Sequence, residues 1–368
     1  MQANDKVIRI AEIVGNSVTG GVPSQVVNLV RHLDHDRFVC DFFTYGPSRY
    51  DEEIRLMGGE VYYVPSMKNP LKAIPALTKL LRGGRYDIAH SHMTALSVVP
   101  LLAAKRAHIG VRICHGHSTT HPSERTAWIK NILKHFAGLY ATHLAACGRW
   151  AATWLYGDKK GAKATIIRNA VDLTRFSPSV EPDPQLVAQT TGCKVIGGVG
   201  RMVYQKNVPF LVDAFAYLTT LVKDVKLVLV GDGAEREEVV RRIEAYGLQD
   251  KVLLLPEVAQ VERYLKVFDL LALPSFYEGL PLVVMEAQAM GVKALVSDQV
   301  TTEADMGGVT YLPIDSAKEW GAKMAAMLAE PAIPSCASVM RERGFDMDEE
   351  GKRLERFYLS CLGKGEDA

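Results

Sequence analysis

Short apolar runs alternate with amphipathic segments along almost the whole chain. Residues 7–13, 38–45 and 195–199 are examples of the apolar runs. They predict buried strands, because parallel strands covered on both faces are almost continuously hydrophobic. Segments such as 23–33 and 207–222 have apolar residues at helical spacing and predict helices. This alternation predicts an α/β fold built on doubly wound parallel sheets.

A proline-rich stretch interrupts the alternation near the middle of the chain. Residues 177–185, SPSVEPDPQ, contain three prolines and no apolar periodicity, and the strand–helix pattern restarts after them. We therefore predict two Rossmann-like domains facing an interdomain cleft, a favoured place for ligands. The predicted boundaries are 1–175 for the N-terminal domain, 176–190 for a linker, 191–345 for the C-terminal domain, and 346–368 for a last helix that crosses back to the first domain.

The composition argues against several classes of protein. A formal net charge of +1 over 368 residues gives no support for a nucleic-acid partner, which usually requires a basic excess. No apolar run approaches the ~18 residues of a membrane span, and the N-terminal MQANDKVIRI leads directly into a strand rather than a signal peptide. The six cysteines are scattered without a CxxC pair. We therefore expect a cytoplasmic protein with no disulfide framework and no zinc site.

Two glutamates lie in a strand–loop–helix stretch of the second half. Residues 273–291 have the sequence LPSFYEGLPLVVMEAQAMG, with Glu278 on the loop and Glu286 about a turn and a half into the helix. Ligands bind at this edge of open α/β sheets, and a helix N-terminus favours phosphate. The two carboxylates could hold sugar hydroxyls on either side of a diphosphate. The alternative is that both are solvated, as most glutamates are.

A basic loop and two glycine turns follow other predicted strands. The loop contains Arg201 and Lys206, a forked donor and a point charge that suit the two phosphates of a diphosphate, although two solvated cations are a simpler interpretation. The turns are Gly20-Gly21 and Gly231-Asp232-Gly233. They could allow a ligand to approach the backbone closely, or they are ordinary turns. Neither is the GxGxxG dinucleotide fingerprint.

Four histidines lie at the ends of two successive predicted strands. His90 and His92 end one strand, and His115 and His117 end the next. A strand alternates its side chains, so the members of each pair point to the same side. A lone histidine is usually structural, but four together could relay protons, donate hydrogen bonds or, less plausibly, bind a metal.

These motifs together resemble the retaining glycosyltransferases of family 4, which have the GT-B fold of two Rossmann-like domains. The similarity rests on GR…QKN at 200–207, on GDG at 231–233 and on the Glu-x7-Glu spacing of Glu278 and Glu286. The segments GGVPSQVVNLVRHL, CHGHST and RNAVDLTRF are similar too, so the resemblance spans nearly the whole chain. The N-terminal half is most similar to bacterial enzymes that assemble exopolysaccharide or capsule repeat units.

The resemblance implies a donor site in the C-terminal domain and an acceptor site in the N-terminal domain. Arg201 and Lys206 would hold the donor diphosphate and stabilise the leaving group. Glu286 would accept hydrogen bonds from the ribose hydroxyls, Glu278 would face the donor sugar, and His117 would be the active-site histidine. Further donor contacts are expected at Gly20, Gly21, Asn207, Gly231, Gly233, Gly279 and Leu280, and further sugar or acceptor contacts at His92 and His115.

The same resemblance implies a reaction class. The family retains the anomeric configuration by front-face substitution, so Glu278 is not expected to be a nucleophile, in contrast to a glycosidase carboxylate. No metal or other cofactor is implied, because cationic side chains and a helix dipole replace it. We expect a hexosyltransferase that uses a UDP-linked sugar and a glycan or lipid-linked saccharide acceptor in surface polysaccharide biosynthesis. Two alternatives stay open: an epimerase or hydrolase of the same fold, and a non-catalytic subunit that binds sugar nucleotides.

Two positions depart from the family pattern. Glu257 stands where a glycine is often found after the strand, which could alter how the base is held. Lys293 stands where a small or apolar residue is usual. Neither change removes a catalytic group.

A predicted helix at residues 123–140 has apolar side chains at helical spacing. Trp128, Ile132 and Phe136 lie at i, i+4 and i+8, among several basic residues. An ordinary core-facing helix is the simpler interpretation. The alternative is a surface helix that touches a membrane or a lipid diphosphate.

Overall fold

The computed structural model describes residues 7–15, 21–117 and 127–364. The chain forms two compact units. The N-terminal unit comprises residues 1–170 and 347–368, and the C-terminal unit comprises residues 171–346. Within the described part of the chain, no helix has both the length and the apolar character needed to cross a bilayer.

A seven-stranded parallel sheet forms the centre of the N-terminal unit, in the order 3-2-1-4-5-6-7. Its first strand is buried at seven of eight positions, as expected for an apolar strand with helices on both faces. The strands are β1 (Ile8–Gly15), β2 (Phe38–Thr44), β3 (Val61–Tyr63), β4 (Ile88–Ser91), β5 (Val111–Gly116), β6 (His143–Ala146) and β7 (Thr165–Ile166). The helices are α1 (Gly21–Arg31), α2 (Asp51–Leu56), α3 (Pro70–Gly84), α4 (Val98–Arg106), α5 (Ala127–Leu133) and α6 (Arg149–Gly161).

A six-stranded parallel sheet forms the centre of the C-terminal unit, in the order 10-9-8-11-12-13. Its strands are β8 (Lys194–Val199), β9 (Val225–Val230), β10 (Val252–Leu255), β11 (Leu270–Leu273), β12 (Lys293–Ser297) and β13 (Val309–Leu312). Its helices are α7 (Pro184–Thr190), α8 (Val208–Leu221), α9 (Arg236–Ala245), α10 (Val261–Leu265), α11 (Leu282–Ala289), α12 (Ala317–Ala329) and α13 (Ala337–Glu342). The two sheets confirm the predicted α/β class with parallel, doubly wound sheets.

The segment predicted as a linker, residues 176–190, lies within the C-terminal unit. Phe176 and Leu186 are buried in its hydrophobic core. The side chain of Asp183 accepts a hydrogen bond from the Leu186 N–H at 2.9 Å and caps α7, which begins at Pro184. The Asp-Pro pair that interrupts the periodicity therefore starts a helix.

The last helix, α14 (Met347–Cys361), belongs to the N-terminal unit. Leu354, Phe357 and Tyr358 are buried in the same core as β1 and α1, and Cys361 is partly buried against it. Tyr358 is fully buried and reaches Glu12 of β1. The apolar stripe at helical spacing thus brings a phenol from the C-terminal end of the chain into the first sheet.

Candidate functional site

The basic loop lies between β8 and α8. Gly200 has a φ of +140°, and a Cβ there would lie 3.2 Å from Cε of Lys206, so the lysine side chain passes over this glycine. A short 3₁₀ turn, Tyr204–Lys206, leads to Asn207, which has a φ of +51° and directly precedes α8. Lys206 is therefore folded back towards the carboxyl edge of the sheet.

Three donors hold the carboxylate of Glu278. Lys206 Nζ lies 2.7 Å from Oε1, the Ser275 hydroxyl donates to Oε1 at 2.8 Å, and the Gln205 amide donates to Oε2 at 3.1 Å. Both oxygens are engaged, and the side chain is 9% exposed. The carboxylate thus positions the ammonium group of Lys206, and the structure brings together two side chains that the sequence placed in one site.

Gln205 also joins the basic loop to the loop after β11. Its side-chain amide donates to the Tyr277 carbonyl at 2.9 Å, and its backbone carbonyl accepts from the Phe276 N–H at 2.9 Å. The rings of Tyr204 and Phe276 stack with their centroids 4.7 Å apart. Gln205 belongs to the QKN motif but was not predicted as a site residue, and it holds the two loops together.

Other groups beside this pair are open to a ligand. The guanidinium of Arg201 is exposed and makes no hydrogen bond or ion pair with the residues that the structure describes. The backbone N–H groups of Gly279 and Leu280 likewise have no hydrogen-bond partner among the described residues. They lie just before α11, where unpaired N–H groups and the helix dipole favour an anion. The two loops thus offer two cations and two backbone N–H donors to a diphosphate.

Gly231 and Gly233 allow the loop after β9 to pack against the basic loop. Their φ values are +137° and +159°, which other residues rarely adopt. A Cβ on Gly231 would lie 2.1 Å from the Gly200 carbonyl oxygen, and one on Gly233 would lie 2.3 Å from that of Met202. The structure gives these two glycines a packing role behind the site, while their expected contact with a donor stays a prediction.

Glu286 is the fifth residue of α11 and is partly exposed. Burial raises its pKa to about 7, against the opposing effect of the positive charges on Arg175 and Lys206. Arg175 is itself held by Glu262, with Nε 2.9 Å from Oε2, and donates to the Ala259 carbonyl at 2.6 Å. The Arg175–Glu262 pair was not predicted, because the two residues are 87 positions apart and share no local pattern.

The four histidines of the N-terminal unit form one buried cluster. β4 and β5 are parallel neighbours, so His90 and His92 lie beside His115 and His117. The ring centroids of His90 and His92 are 4.1 Å apart, and those of His115 and His117 are 4.0 Å apart. Burial lowers the pKa of all four imidazoles, that of His92 to about 3. The cluster is therefore neutral near pH 7.

A single carboxylate anchors this cluster. Glu12 of β1 is 1% exposed, and its Oε2 lies 2.7 Å from Nε2 of His92, whose Nδ1 lies 2.7 Å from Nε2 of His117. Its Oε1 accepts from the Tyr358 hydroxyl at 2.8 Å, and Tyr358 lies 2.8 Å from Nδ1 of His90. Glu12 and Tyr358 were not predicted as site residues, although a glutamate inside the apolar run IRIAEIVG was a visible signal.

Two segments that were predicted to contribute to the site fall partly outside the described residues. Gly20 lies outside the described residues, and Gly21 begins α1. The helix predicted at 123–140 falls partly outside them as well; its described part consists of α5 and a 3₁₀ turn at Lys134–Phe136. The core-facing interpretation of that segment is wrong, because Trp128, Ile132 and Phe136 are 65%, 54% and 49% exposed.

Solved structures share this architecture over the full chain. HepE (Alr3699) of Anabaena, in complex with UDP and glucose, matches with a TM-score of 0.77 and 18% identity over 96% of this chain and 100% of that chain. Sucrose-phosphate synthase of Thermosynechococcus elongatus matches with a TM-score of 0.76 and 18% identity over 97% and 99%. The two Rossmann-like units are thus a GT-B fold, the fold of a large class of glycosyltransferases.

Sequence comparison identifies the family within that class. Residues 179–326 match the family of glycosyl transferases group 1, and residues 19–175 match Glycosyltransferase Family 4. EpsF of Bacillus subtilis (strain 168), which is named as a glycosyltransferase, is 30% identical over 95% of this chain and 96% of its own length. An Escherichia coli UDP-Gal:alpha-D-GlcNAc-diphosphoundecaprenol alpha-1,3-galactosyltransferase is 27% identical over 81% of each chain. The chain belongs to glycosyltransferase family 4 and is a glycosyltransferase, as its motifs predicted.

Proposed function

We propose that this enzyme transfers a hexose, with retention of configuration, from a UDP-linked donor to a glycan or lipid-linked saccharide in bacterial surface polysaccharide biosynthesis. The observation that carries the proposal is the 2.7 Å pair of Lys206 and Glu278 beside the open Arg201 and the N-terminus of α11. The names of the relatives support the finer points. One acts on a diphosphoundecaprenol-linked sugar with UDP-galactose, and HepE was solved with UDP and glucose.

In the proposed reaction the protein works mainly by electrostatic stabilisation. Lys206, Arg201 and the N–H groups before α11 bind the diphosphate and stabilise its charge as it leaves. These cations and dipoles do what a metal ion does in other sugar transferases, so no cofactor is required. Glu278 has both oxygens bound by protein donors and serves to hold Lys206 and to accept a sugar hydroxyl. Glu286 accepts the ribose hydroxyls, and His117 contacts the donor sugar.

A screen of donors tests this proposal directly. We expect UDP-sugars, and not GDP- or ADP-sugars, to raise the melting temperature, because a ligand at 100 times its Kd stabilises the native state by about 2.7 kcal/mol. Release of UDP should then require a lipid-linked saccharide acceptor. Stabilisation by a GDP- or ADP-sugar alone would contradict the assignment of the base. Release of free sugar or formation of an epimer without acceptor would favour the hydrolase or epimerase alternative.

We further propose that residues 127–140 contact the surface of an anionic membrane, where a lipid-linked acceptor would reside. This segment contains Lys130, Lys134 and His135 and no acidic residue. Its exposed apolar side chains suit the boundary between headgroups and acyl chains, and its cations suit anionic lipids. The exposed large apolar side chains are those of Trp128, Ile132, Phe136 and Leu139.

Replacing two of these side chains should weaken binding to vesicles. For Trp128→Ser/Phe136→Ser we expect the partition coefficient on phosphatidylglycerol-containing vesicles to fall about tenfold or more, because each large side chain contributes roughly 1.5–3 kcal/mol on burial. Sedimentation at low salt measures this partition. Leu56→Ser is the matched control, since Leu56 is 82% exposed but lies on the acidic helix α2. Equal binding by the double variant and the wild type would refute the proposed surface.

A further inference from the structure

The hydrogen bonds of the histidine cluster have directions that follow from one ionised group. An ionised carboxylate only accepts hydrogen bonds, and a neutral imidazole has one N–H and one lone pair. Glu12 has a bond at each oxygen, one from His92 and one from Tyr358. Burial raises the pKa of Glu12, and the hydrogen bond from Tyr358 acts against that rise. We take the carboxylate as ionised, the state in which both of its oxygens accept hydrogen bonds. Each bond begins a branch of the cluster.

The first branch leads from Glu12 through His92 to His117. His92 must donate its Nε2–H to Oε2 of Glu12, so its Nδ1 carries the lone pair. His117 must then donate its Nε2–H to this Nδ1, over 2.7 Å. The lone pair of His117 is thereby left on Nδ1. No residue in the described part of the chain forms a hydrogen bond to that atom.

The second branch leads from Glu12 through Tyr358 and His90 to His115. The phenol donates to Glu12, so it must accept from the Nδ1–H of His90. Nε2 of His90 then accepts from the Nδ1–H of His115 at 3.1 Å. The lone pair of His115 falls on Nε2, which is buried and has no hydrogen-bond partner. If every hydrogen bond of this branch ran the other way, Nε2 of His115 would carry a buried, unpaired N–H. Native proteins seldom tolerate such a group.

We propose that Glu12 is a positioning residue that fixes the four histidines in defined tautomers and so makes Nδ1 of His117 a hydrogen-bond acceptor for a hydroxyl of the donor sugar. The inference rests on the proposed function, which places His117 at that sugar. His117 is the most exposed of the four histidine residues, at 9%, and its Nδ1 is the free nitrogen that we assign to the substrate. A neutral acceptor in a dry site selects a hydroxyl over a group that cannot donate.

The arrangement of the rings favours hydrogen bonding over metal binding. One nitrogen each of His90, His92 and His115 lies close enough to the others for a shared ion. Both nitrogens of His90 and both of His92 already have short hydrogen bonds, however. A metal ion bound to these nitrogens would have to break the hydrogen bonds. Metal binding would therefore contradict the proposed network.

Nitrogen-15 NMR of the full chain labelled at the histidine rings tests the tautomers without reference to activity. For the wild type near pH 7 we expect His92 and His117 as Nε2–H tautomers, and His90 and His115 as Nδ1–H tautomers. Single His→Gln variants supply the assignments. An Nδ1–H on His117, or stoichiometric metal bound to these rings, would overturn the proposal. The wild-type tautomers test the proposal even if a variant at Glu12 fails to fold.

Glu12→Gln should reverse the first branch selectively. Its amide must donate to one partner, and donation towards Tyr358 would leave a buried, unpaired N–H on His115. Donation to His92 instead moves the free hydrogen to Nδ1 of His117, so we expect this tautomer to change. Tyr358→Phe is the matched control, because it also removes one bond to Glu12 but should leave His92 and His117 unchanged. An unaltered His117 tautomer in Glu12→Gln would overturn the proposal.

The kinetic readout separates this inference from the proposed function. We expect kcat/KM for the UDP-sugar to fall about tenfold or more in Glu12→Gln, the size of one hydrogen bond lost to a substrate hydroxyl, and much less in Tyr358→Phe. A reversed tautomer with an unchanged kcat/KM would overturn the role of Nδ1 towards the sugar. Failure of the proposed function would be distinct, since the wild type would then transfer no sugar while its ring tautomers remained as assigned.

Discussion

Lys206→Ala is expected to lower kcat by about 100- to 1000-fold, because one preorganised donor to a developing charge contributes roughly 3 kcal/mol to the transition state. Nζ of Lys206 is held 2.7 Å from Glu278, and its stem lies over Gly200, so the charge is fixed before the substrate arrives. The substitution removes the cation and leaves Glu278 bonded to Ser275 and Gln205. Steady-state transfer with a saturating donor measures the loss.

Lys194→Ala is the matched control for this prediction. Lys194 also forms an ion pair, with Asp269 at 2.9 Å, and it begins β8 of the same unit. It is about half exposed, and exposed ion pairs contribute little to stability. We therefore expect near-normal turnover and unfolding for this variant. Near-normal turnover of Lys206→Ala, in a protein that melts like the wild type, would show that the diphosphate is bound elsewhere.

The apolar runs of the central strands could be predicted from the sequence, whereas the short strand β13 was missed. β11 and residues 195–199 of β8 are continuous apolar runs, because helices cover both faces of a parallel sheet. β13 lies at the edge of its sheet, and each of its residues, VTYL, is only partly buried. Although Val, Thr and Tyr favour strands, these four residues form neither a continuous apolar run nor a clear alternation. Short helices such as α2 and α13 were missed for a similar reason, since six residues contain less than two turns of periodicity.

Local motifs located both partners of the Lys206–Glu278 pair, whereas the contact between Glu12 and Tyr358 became visible only in the fold. Lys206 and Glu278 could be named because each lies in a motif at a strand end. Glu12 and Tyr358 could not be paired, because their contact joins positions 346 residues apart. Helical periodicity at Trp128, Ile132 and Phe136 was equally consistent with a core and a surface face, and only packing decides which face points inwards.

Residues that bind a ligand and residues that orient a neighbouring side chain differ in how visible they are in a sequence. A ligand-binding cation is conspicuous in a short loop, whereas a buried acceptor that orients a neighbouring ring looks like one polar residue in an apolar strand. The second class decides protonation and tautomers, and it becomes visible only when hydrogen-bond directions are followed from one group to the next.

Glu286→Gln is expected to remove a pH dependence of donor binding. Because the pKa of Glu286 is about 7, the carboxylate is mostly protonated below that pH and cannot accept both ribose hydroxyls. For the wild type we therefore expect kcat/KM for the donor to fall about tenfold per pH unit below 7. For Glu286→Gln we expect a raised donor KM, by about tenfold at pH 8, and a flat profile between pH 6 and 8.

The same raised pKa has the opposite effect on the stability of the free protein. A carboxylate with a higher pKa in the folded state than in the unfolded state binds more protons when folded. Its contribution to stability is therefore lost as pH rises from the ordinary glutamate value of 4.5 through about 7. Glu286→Gln should therefore melt about 2–4 °C higher than the wild type at pH 8, for a gain of about 1 kcal/mol, and at nearly the same temperature at pH 5. Glu244→Gln, which changes an exposed glutamate of the same unit on α9, is the control and should alter neither property. A wild-type donor KM that does not vary between pH 6 and 8 would contradict the assignment of Glu286 to the ribose. Weaker donor binding together with a more stable free protein would show that the ionised carboxylate is kept for its ligand at the expense of the fold.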